Sequence, residues 1–97
     1  MKENLLVRKI ARKSLPLLRK YDVVEAGIFG SMARGDVHRK SDVDFLIKFK
    51  GRKSLLDLVG LKLDLEKSLR KKVDIVTYKS IHPLLKKSIL EDEVKIL

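Results

Sequence analysis

Residues 23–49 read VVEAGIFGSMARGDVHRKSDVDFLIKF, and this stretch decides the fold of the 97-residue chain. The apolar runs at its two ends predict strands over residues 23–29 and 43–49. Directly after the first run, a glycine-serine pair opens a predicted short helix over residues 31–34, which Gly35 ends. The glycine-serine pair therefore lies where a strand turns into a helix.

Apolar residues also recur at helical spacing over residues 3–20, ahead of this stretch. Pro16 would break a continuous helix there, because it has no backbone N–H to donate. We therefore expect one helix to end near Lys13. A second helix is expected to begin with Ser14 as its cap and with Pro16 in its first turn.

The chain after residue 50 continues the alternation of helices and strands. Ser54 and Asp57 form a capping-box pattern at the start of a helix that runs to about Leu69. The later elements are a strand, a helix and a short final strand, over residues 73–78, 80–90 and 94–97. This order is typical of an α/β (α+β) fold, with a mixed sheet of three to four strands flanked by helices. We expect a single domain over residues 1–97.

The composition limits the classes of function that are open to this chain. The absence of cysteine excludes disulfides and thiolate zinc sites, and two distant histidines argue against a histidine-rich metal site. A bound metal ion would be hard and oxygen-liganded, which means Mg²⁺ or Mn²⁺. No apolar run has the length of a membrane span or the character of a signal peptide, so we expect a cytoplasmic protein without membrane contact.

The net charge is strongly positive, with 23 Lys and Arg against 13 Asp and Glu, or +10. Such an excess attracts phosphate-rich molecules and acidic proteins. A Lys-rich solvated surface is the alternative explanation. The charge by itself leaves nucleotide, RNA and protein open as partners.

Three aspartates interrupt otherwise apolar strands. Asp42 and Asp44 open the strand at residues 43–49, and Asp74 lies one residue into the strand at residues 73–78. Alternate residues of a strand project to the same face, so Asp42 and Asp44 project together, with their Cα atoms about 6.5–7 Å apart. If the third strand lies beside the second, Asp74 joins them from the side. Because close carboxylates repel each other and are costly to bury unpaired, a divalent cation is expected among them.

The glycine-serine pair is a candidate phosphate site. A helix N-terminus presents free N–H groups and the positive end of the helix dipole, and glycine lets the backbone approach a phosphate closely. Ser31 can donate from its hydroxyl and its N–H, and Arg34 can reach the same triphosphate or pair with Asp36. Gly30, Ser31 and Arg34 are therefore candidate nucleotide-binding residues, although a Gly-Ser turn alone is usually only a turn.

Taken together, these motifs resemble a known family. Residues 30–36 (GSMARGD), 41–47 (SDVDFLI) and 73–76 (VDIV) look like the minimal nucleotidyltransferase (MNT) family of the DNA polymerase beta superfamily. The superfamily pattern is a Gly-Ser turn, about ten residues, an Asp-x-Asp strand and a later strand aspartate. Ten residues separate Ser31 from Asp42 here. The resemblance covers nearly the whole chain and implies the nucleotidyltransferase fold.

The aspartates have defined roles in two-metal nucleotidyl transfer. Asp42 and Asp44 would be shared ligands of two Mg²⁺ ions, with Mn²⁺ as an alternative, and Asp74 would hold the ion on the acceptor side. The resemblance implies ATP as the substrate. It also implies a partner, because MNT proteins are typically antitoxins that adenylylate a tyrosine of a HEPN-domain RNase toxin.

Three functions stay open at this point. The chain is an adenylyltransferase of a HEPN partner, or an antitoxin that neutralises its toxin by docking alone, or a nucleotidyltransferase that acts on RNA ends. The positive charge permits the third, but two Tyr, three Phe and no Trp offer few platforms for stacking bases. We favour the first and expect the chain to work in a complex with its partner.

Overall fold

The structure of this chain is a computed structural model that describes residues 5–35 and 42–97, so the residues between Gly35 and Asp42 lie outside it. Helices and strands alternate as predicted. In chain order they are α1 (Leu5–Lys20), β1 (Val23–Phe29), α2 (Gly30–Arg34), β2 (Val43–Phe49), α3 (Leu55–Leu69), β3 (Val73–Thr77), a 3-10 turn (Tyr78–Ser80), α4 (Pro83–Asp92) and β4 (Val94–Lys95).

The four strands form one mixed sheet in the order β3-β2-β1-β4. Strand β1 runs antiparallel to both β2 and β4, whereas β3 runs parallel to β2. A parallel pair needs a crossover connection, which α3 provides between β2 and β3. The predicted mixed sheet with flanking helices is confirmed.

The hydrophobic core lies between one face of the sheet and helices α1 and α3. Side chains alternate across a strand, so Phe45 and Ile47 point into this core while Asp44 and Leu46 point to the other face, as predicted. The fully or almost fully buried members of the core include Val7, Ile10, Leu18, Ala26, Ile28, Val43, Phe45, Ile47, Leu61, Leu65 and Val73. Helix α4 packs against α2 and β1.

Helix α1 is continuous, so the predicted break at Pro16 is wrong. The helix runs from Leu5 to Lys20 with Pro16 inside it. Ser14, predicted as a helix cap, is fully buried in mid-helix, where its hydroxyl donates to the Ile10 carbonyl at 2.6 Å. Buried residues on both sides of Pro16 hold the two halves of the helix on the sheet, and this packing outweighs the lost hydrogen bond.

Pro16→Ala is expected to stabilise the chain by about 2 kcal/mol, because alanine restores a helical N–H donor and is the better helix former. Pro16 is exposed, so its replacement costs no core contact. The greater freedom of the unfolded chain offsets part of the gain. Thermal unfolding followed by circular dichroism should show a midpoint higher by roughly 10 °C. An unchanged or lower midpoint would mean that α1 needs proline geometry to pack.

The start of α3 has the predicted capping box. The Ser54 N–H donates to the Asp57 carboxylate at 2.9 Å, and the Asp57 N–H donates to the Ser54 hydroxyl at 3.3 Å. Bonding by the Ser54 N–H and hydroxyl lowers the pKa of Asp57. Helix α3 thus begins at a fixed position beside β3. In the described part of the chain, no helix is long and apolar enough to cross a membrane.

Candidate active site

The three predicted aspartates lie at the N-terminal ends of two neighbouring strands. Asp42 directly precedes β2, Asp44 is the second residue of β2, and Asp74 is the second residue of β3. In the parallel ladder, Asp44 is the partner of Asp74. The third strand therefore lies beside the second, as the sequence analysis required. On the other side of β2, Phe29 at the end of β1 is paired with Asp44.

Asp44 is at the electrostatic centre of this group. Its carboxylate is half-buried, whereas Asp42 and Asp74 are exposed. Burial, followed by repulsion from Asp74 and then from Asp42, raises the pKa of Asp44 above its usual value, and the Arg34 guanidinium opposes this shift. The local field at Asp44 is therefore negative.

The donor set fits a hard divalent cation. Ionised carboxylates only accept hydrogen bonds, and oxygen ligands from a few carboxylates are what Mg²⁺ takes in proteins. Within residues 5–35 and 42–97, no three acidic or histidine side chains are already gathered closely enough to hold a metal ion. Like charges keep such groups apart, and a cation between Asp42, Asp44 and Asp74 would remove that repulsion.

Gly30 is in direct contact with the Asp44 carboxylate. The φ angle of Gly30 is +75°, and a Cβ atom at this position would lie 2.3 Å from Oδ2 of Asp44. Only glycine combines this backbone conformation with so close an approach. Gly30 opens α2, and the preceding Phe29 offers no side-chain cap to the first N–H groups of that helix. The junction of β1 and α2 thus brings the main chain against the carboxylate group.

Ser31 and Arg34 occupy the single turn of α2. Ser31 is half-buried, and Arg34 is exposed at the end of the helix. Nη1 of Arg34 donates to the Asp92 carboxylate of α4 at 2.7 Å. The other predicted pairing of Arg34, with Asp36, lies outside the described residues. Sequence analysis missed Asp92, because a pair 58 residues apart leaves no local pattern.

A second contact fixes the same end of α4. The Tyr78 hydroxyl donates to the carboxylate of Glu93, the residue that follows α4. Glu93 lies so close to Gly27 that a Cβ atom there would be 2.1 Å from Oε2 of Glu93. Burial and the bond to Glu93 raise the pKa of Tyr78 far above its usual value. Helix α4 is therefore anchored to α2, β1 and the end of β3.

A cleft of about 540 Å³ opens beside the carboxylates, between α3 and α4. Asp44 and Asp74 line its inner end. Apart from these two, the lining is apolar with one cation, and consists of Phe29, Leu58, Val59, Lys62, Ile75, Val76, Leu85 and Ile89. Lys62 is half-buried, and none of the other described side chains pairs with it. Sequence analysis also missed Lys62, because a lysine on an amphipathic helix looks like any solvated residue.

The chain is similar to known proteins over most of its length. The model of the nucleotidyltransferase domain family matches residues 8–96. A candidate protein adenylyltransferase of Methanocaldococcus jannaschii is 52% identical over 91 residues, which are 94% of this chain and 98% of that protein. Protein adenylyltransferase MntA of Thermococcus cleftensis is 36% identical over 80 residues, which are 82% of this chain and 81% of that protein.

Solved structures share the fold. A candidate minimal nucleotidyltransferase has a TM-score of 0.80 and 33% identity, covering 96% of this chain and 95% of that chain. A chain from the complex of tri-AMPylated Shewanella oneidensis HEPN toxin with MNT antitoxin has a TM-score of 0.73 and 18% identity, covering 94% of this chain and 71% of that chain. The second likeness shows the fold alone. The chain therefore belongs to the nucleotidyltransferase domain family, as an enzyme of the minimal nucleotidyltransferase type.

Proposed function

We propose that this chain transfers AMP from ATP to a tyrosine hydroxyl of a HEPN-domain RNase toxin, and so acts as its antitoxin in the cytoplasm. The pairing of Asp44 with Asp74 beside Gly30 carries the proposal, because it brings two carboxylates close to a helix-opening Gly-Ser turn, and Asp42 directly precedes the strand of Asp44. Two relatives named for protein adenylyltransferase activity support a protein acceptor. The AMPylated HEPN toxin of the structural neighbour supports the kind of partner.

Asp42, Asp44 and Asp74 are the proposed catalytic residues and the ligands of two Mg²⁺ ions, with Mn²⁺ as an alternative. When bound, the ions would neutralise the triphosphate and lower the pKa of the acceptor hydroxyl. In the transfer step, the hydroxyl oxygen forms a bond to the α-phosphorus and the bond to pyrophosphate breaks. The hydroxyl proton is released to water.

Gly30, Ser31 and Arg34 are the proposed nucleotide-binding residues. The N–H groups at the start of α2 and the Ser31 hydroxyl would donate to the terminal phosphates. Asp92 holds the Arg34 guanidinium beside this turn, so Arg34 can contact the same phosphates without a large rearrangement. In this proposal residues 1–97 work as a single domain, in a complex with the partner.

A mass measurement tests the proposal. The purified chain, ATP and Mg²⁺ are incubated with the proposed HEPN-domain partner, and the HEPN protein is weighed intact. We expect a gain of one or more AMP units on a tyrosine, which is lost with EDTA and with the double variant Asp42→Ala/Asp44→Ala. An unmodified toxin that is still silenced in a tight complex would refute transfer and identify an antitoxin that acts by docking. AMP on added RNA instead would refute the protein acceptor.

A further inference from the structure

Helices α3 and α4 both expose aliphatic side chains, and two of these side chains line the cleft. On α3 they recur at spacings of three and four residues, which places them on one face of the helix. We call this set the apolar rim, and it consists of Leu55, Leu56, Val59, Leu63, Leu84 and Leu85. Leu56 and Leu84 are the most exposed, at 82% and 86%. Contiguous exposed apolar side chains usually mark an interaction site.

The apolar rim is continuous with the cleft. Val59 and Leu85 belong to both, so one aliphatic surface leads from the outside of α3 and α4 to Asp44 and Asp74. Because Val59 on α3 and Leu85 on α4 line the cleft, a molecule that contacts the rim on both helices also lies against the cleft. A partner docked there is placed beside the site of transfer.

Most of the cleft lies away from the Gly-Ser turn. Gly30, Ser31 and Arg34, the proposed nucleotide-binding residues, are not among its lining residues. The cleft runs from Phe29 at the end of β1 to Asp74 on the edge strand β3, and most of its lining comes from β3, α3 and α4. With the nucleotide held at the Gly-Ser turn, the space between α3 and α4 is left for the group that receives AMP.

Two lysines near the rim favour an acidic partner, and the aliphatic character of the rim favours a protein over a nucleic acid. Lys62 in the cleft and Lys86 next to Leu85 pair with no other described side chain, whereas Asp57 is held by the Ser54 cap. Asp44 and Asp74 at the inner end of the cleft would be neutralised by the proposed metal ions. Acidic side chains of a partner would complement these two lysines. All six side chains of the rim are aliphatic, so they offer no ring on which a base can stack.

We propose that the apolar rim is the docking surface of the protein acceptor, and that it binds an apolar segment flanked by acidic side chains. Docking on both helices carries a hydroxyl of that segment into the cleft and holds it in position for transfer. This inference rests on the proposed function, since it names the surface through which that acceptor is recognised.

Two charge-introducing variants test the rim without touching the lining of the cleft. Leu56→Glu and Leu84→Glu should each weaken the Kd for the HEPN-domain protein by roughly 30-fold, the effect of losing a central apolar contact. Leu5→Glu is the matched control, because Leu5 is 67% exposed on α1 and belongs to neither the cleft nor the rim. The control should bind the partner like the parent. A parental Kd for both rim variants would overturn the proposal.

Site-specific photo-crosslinking separates docking from transfer. With p-benzoylphenylalanine at positions 56, 84 and 5 in turn, we expect crosslinks to the HEPN-domain protein from the first two positions only. Such crosslinks without any AMP gain would support the rim and refute the proposed transfer. AMP gain with equal crosslinking from all three positions would overturn the rim and leave the transfer standing.

Two other occupants would also overturn this assignment. A homodimer of the free chain that Leu56→Glu disperses, with unchanged affinity for the HEPN-domain protein, would assign the rim to a second copy. Binding of a single-stranded RNA oligonucleotide that Leu56→Glu weakens, again with unchanged partner affinity, would assign it to nucleic acid. Analytical ultracentrifugation and fluorescence anisotropy measure these two outcomes.

Discussion

We expect Asp44→Asn to lower the rate of AMP transfer by about 10³-fold or more, because the loss of a single catalytic group typically has an effect of this size. Asparagine keeps the size of the side chain, but it removes the charge that would be shared between two metal ions. Asp44 lies between Asp42 and Asp74 and touches Gly30, so no neighbouring carboxylate can take its place. Initial rates with labelled ATP and the HEPN-domain protein measure the effect.

The same substitution is expected to stabilise the protein in the absence of metal. Burial and repulsion from Asp74 and Asp42 raise the folded-state pKa of Asp44, so the folded chain holds this proton more tightly than the unfolded chain. The contribution of Asp44 to stability is therefore complete below its unfolded-state pKa and is lost as the pH rises through its folded-state pKa. Near neutral pH, Asp44→Asn should melt at a higher temperature than the parent. The difference should disappear in acid, and added Mg²⁺ should stabilise only the parent.

Asp22→Asn is the matched control. Asp22 is exposed in a left-handed backbone conformation, with φ of 61°, which asparagine also tolerates. Among the described residues, the substitution removes a surface ion pair in which Nζ of Lys53 and Oδ2 of Asp22 are 2.8 Å apart, and it removes the attraction to Lys50. This control should keep parental transfer. Parental transfer by Asp44→Asn itself would exclude Asp44 from the chemistry, and a lower melting temperature would refute the electrostatic argument.

Gly30→Ala is expected to reduce transfer at least about 100-fold and to destabilise the fold by about 2 kcal/mol. Alanine at φ of +75° is strained, and its Cβ would lie 2.3 Å from Oδ2 of Asp44, so the carboxylate must move. A displaced Asp44 no longer meets Asp74 and the Gly-Ser turn together. Steady-state kinetics and chemical denaturation measure the two losses.

Gly35→Ala separates the effect of backbone strain from the effect of the clash with Asp44. Gly35 has a similar φ of +83°, but a Cβ atom there meets nothing within 4 Å. Gly35→Ala should therefore share most of the loss in stability, from backbone strain alone, while it keeps transfer near the parental rate. Equal losses of activity in both variants would show that strain in α2, rather than contact with Asp44, limits catalysis.

The strands and the aspartate group could be predicted because their signals are local. The apolar runs of β1 and β2 have sharp ends at glycine or polar residues, and both predicted ranges agree with the structure. Successive side chains of β2 point to opposite faces of the sheet. The sequence alone therefore predicts that Asp44 lies on the face opposite Phe45 and Ile47. The capping box at Ser54 is equally local, and it is confirmed.

Packing decided the elements that sequence analysis got wrong. Pro16 has a strong local preference against mid-helix positions, but the buried contacts of Ile10 and Leu18 on its two sides keep α1 continuous. Ser14 looks like a helix cap, because short hydroxyl side chains favour caps. The core instead buries it, and its hydroxyl is satisfied within the helix.

Long-range contacts decided the parts of the site that had no sequence signal. Asp92 and Lys62 reach the site only because α4 packs against α2 and because α3 packs against β3. The apolar rim has the same origin. In the sequence, Leu55 and Leu56 resemble the start of a buried helix face. Only the packed structure shows that both side chains are exposed to solvent.

Phe29, Asp44 and Asp74 form one row across the sheet, so the proposed catalysis requires the correct pairing register of β1, β2 and β3. Because side chains alternate along a strand, a slip of β2 by one position would turn Asp44 into the core and leave Val43 in water. A misaligned molecule would therefore lose the proposed cation site together with its hydrophobic contacts. Only molecules with correctly paired strands would catalyse the proposed transfer. The rate of AMP transfer per mole of protein would therefore measure the correctly folded fraction of a preparation.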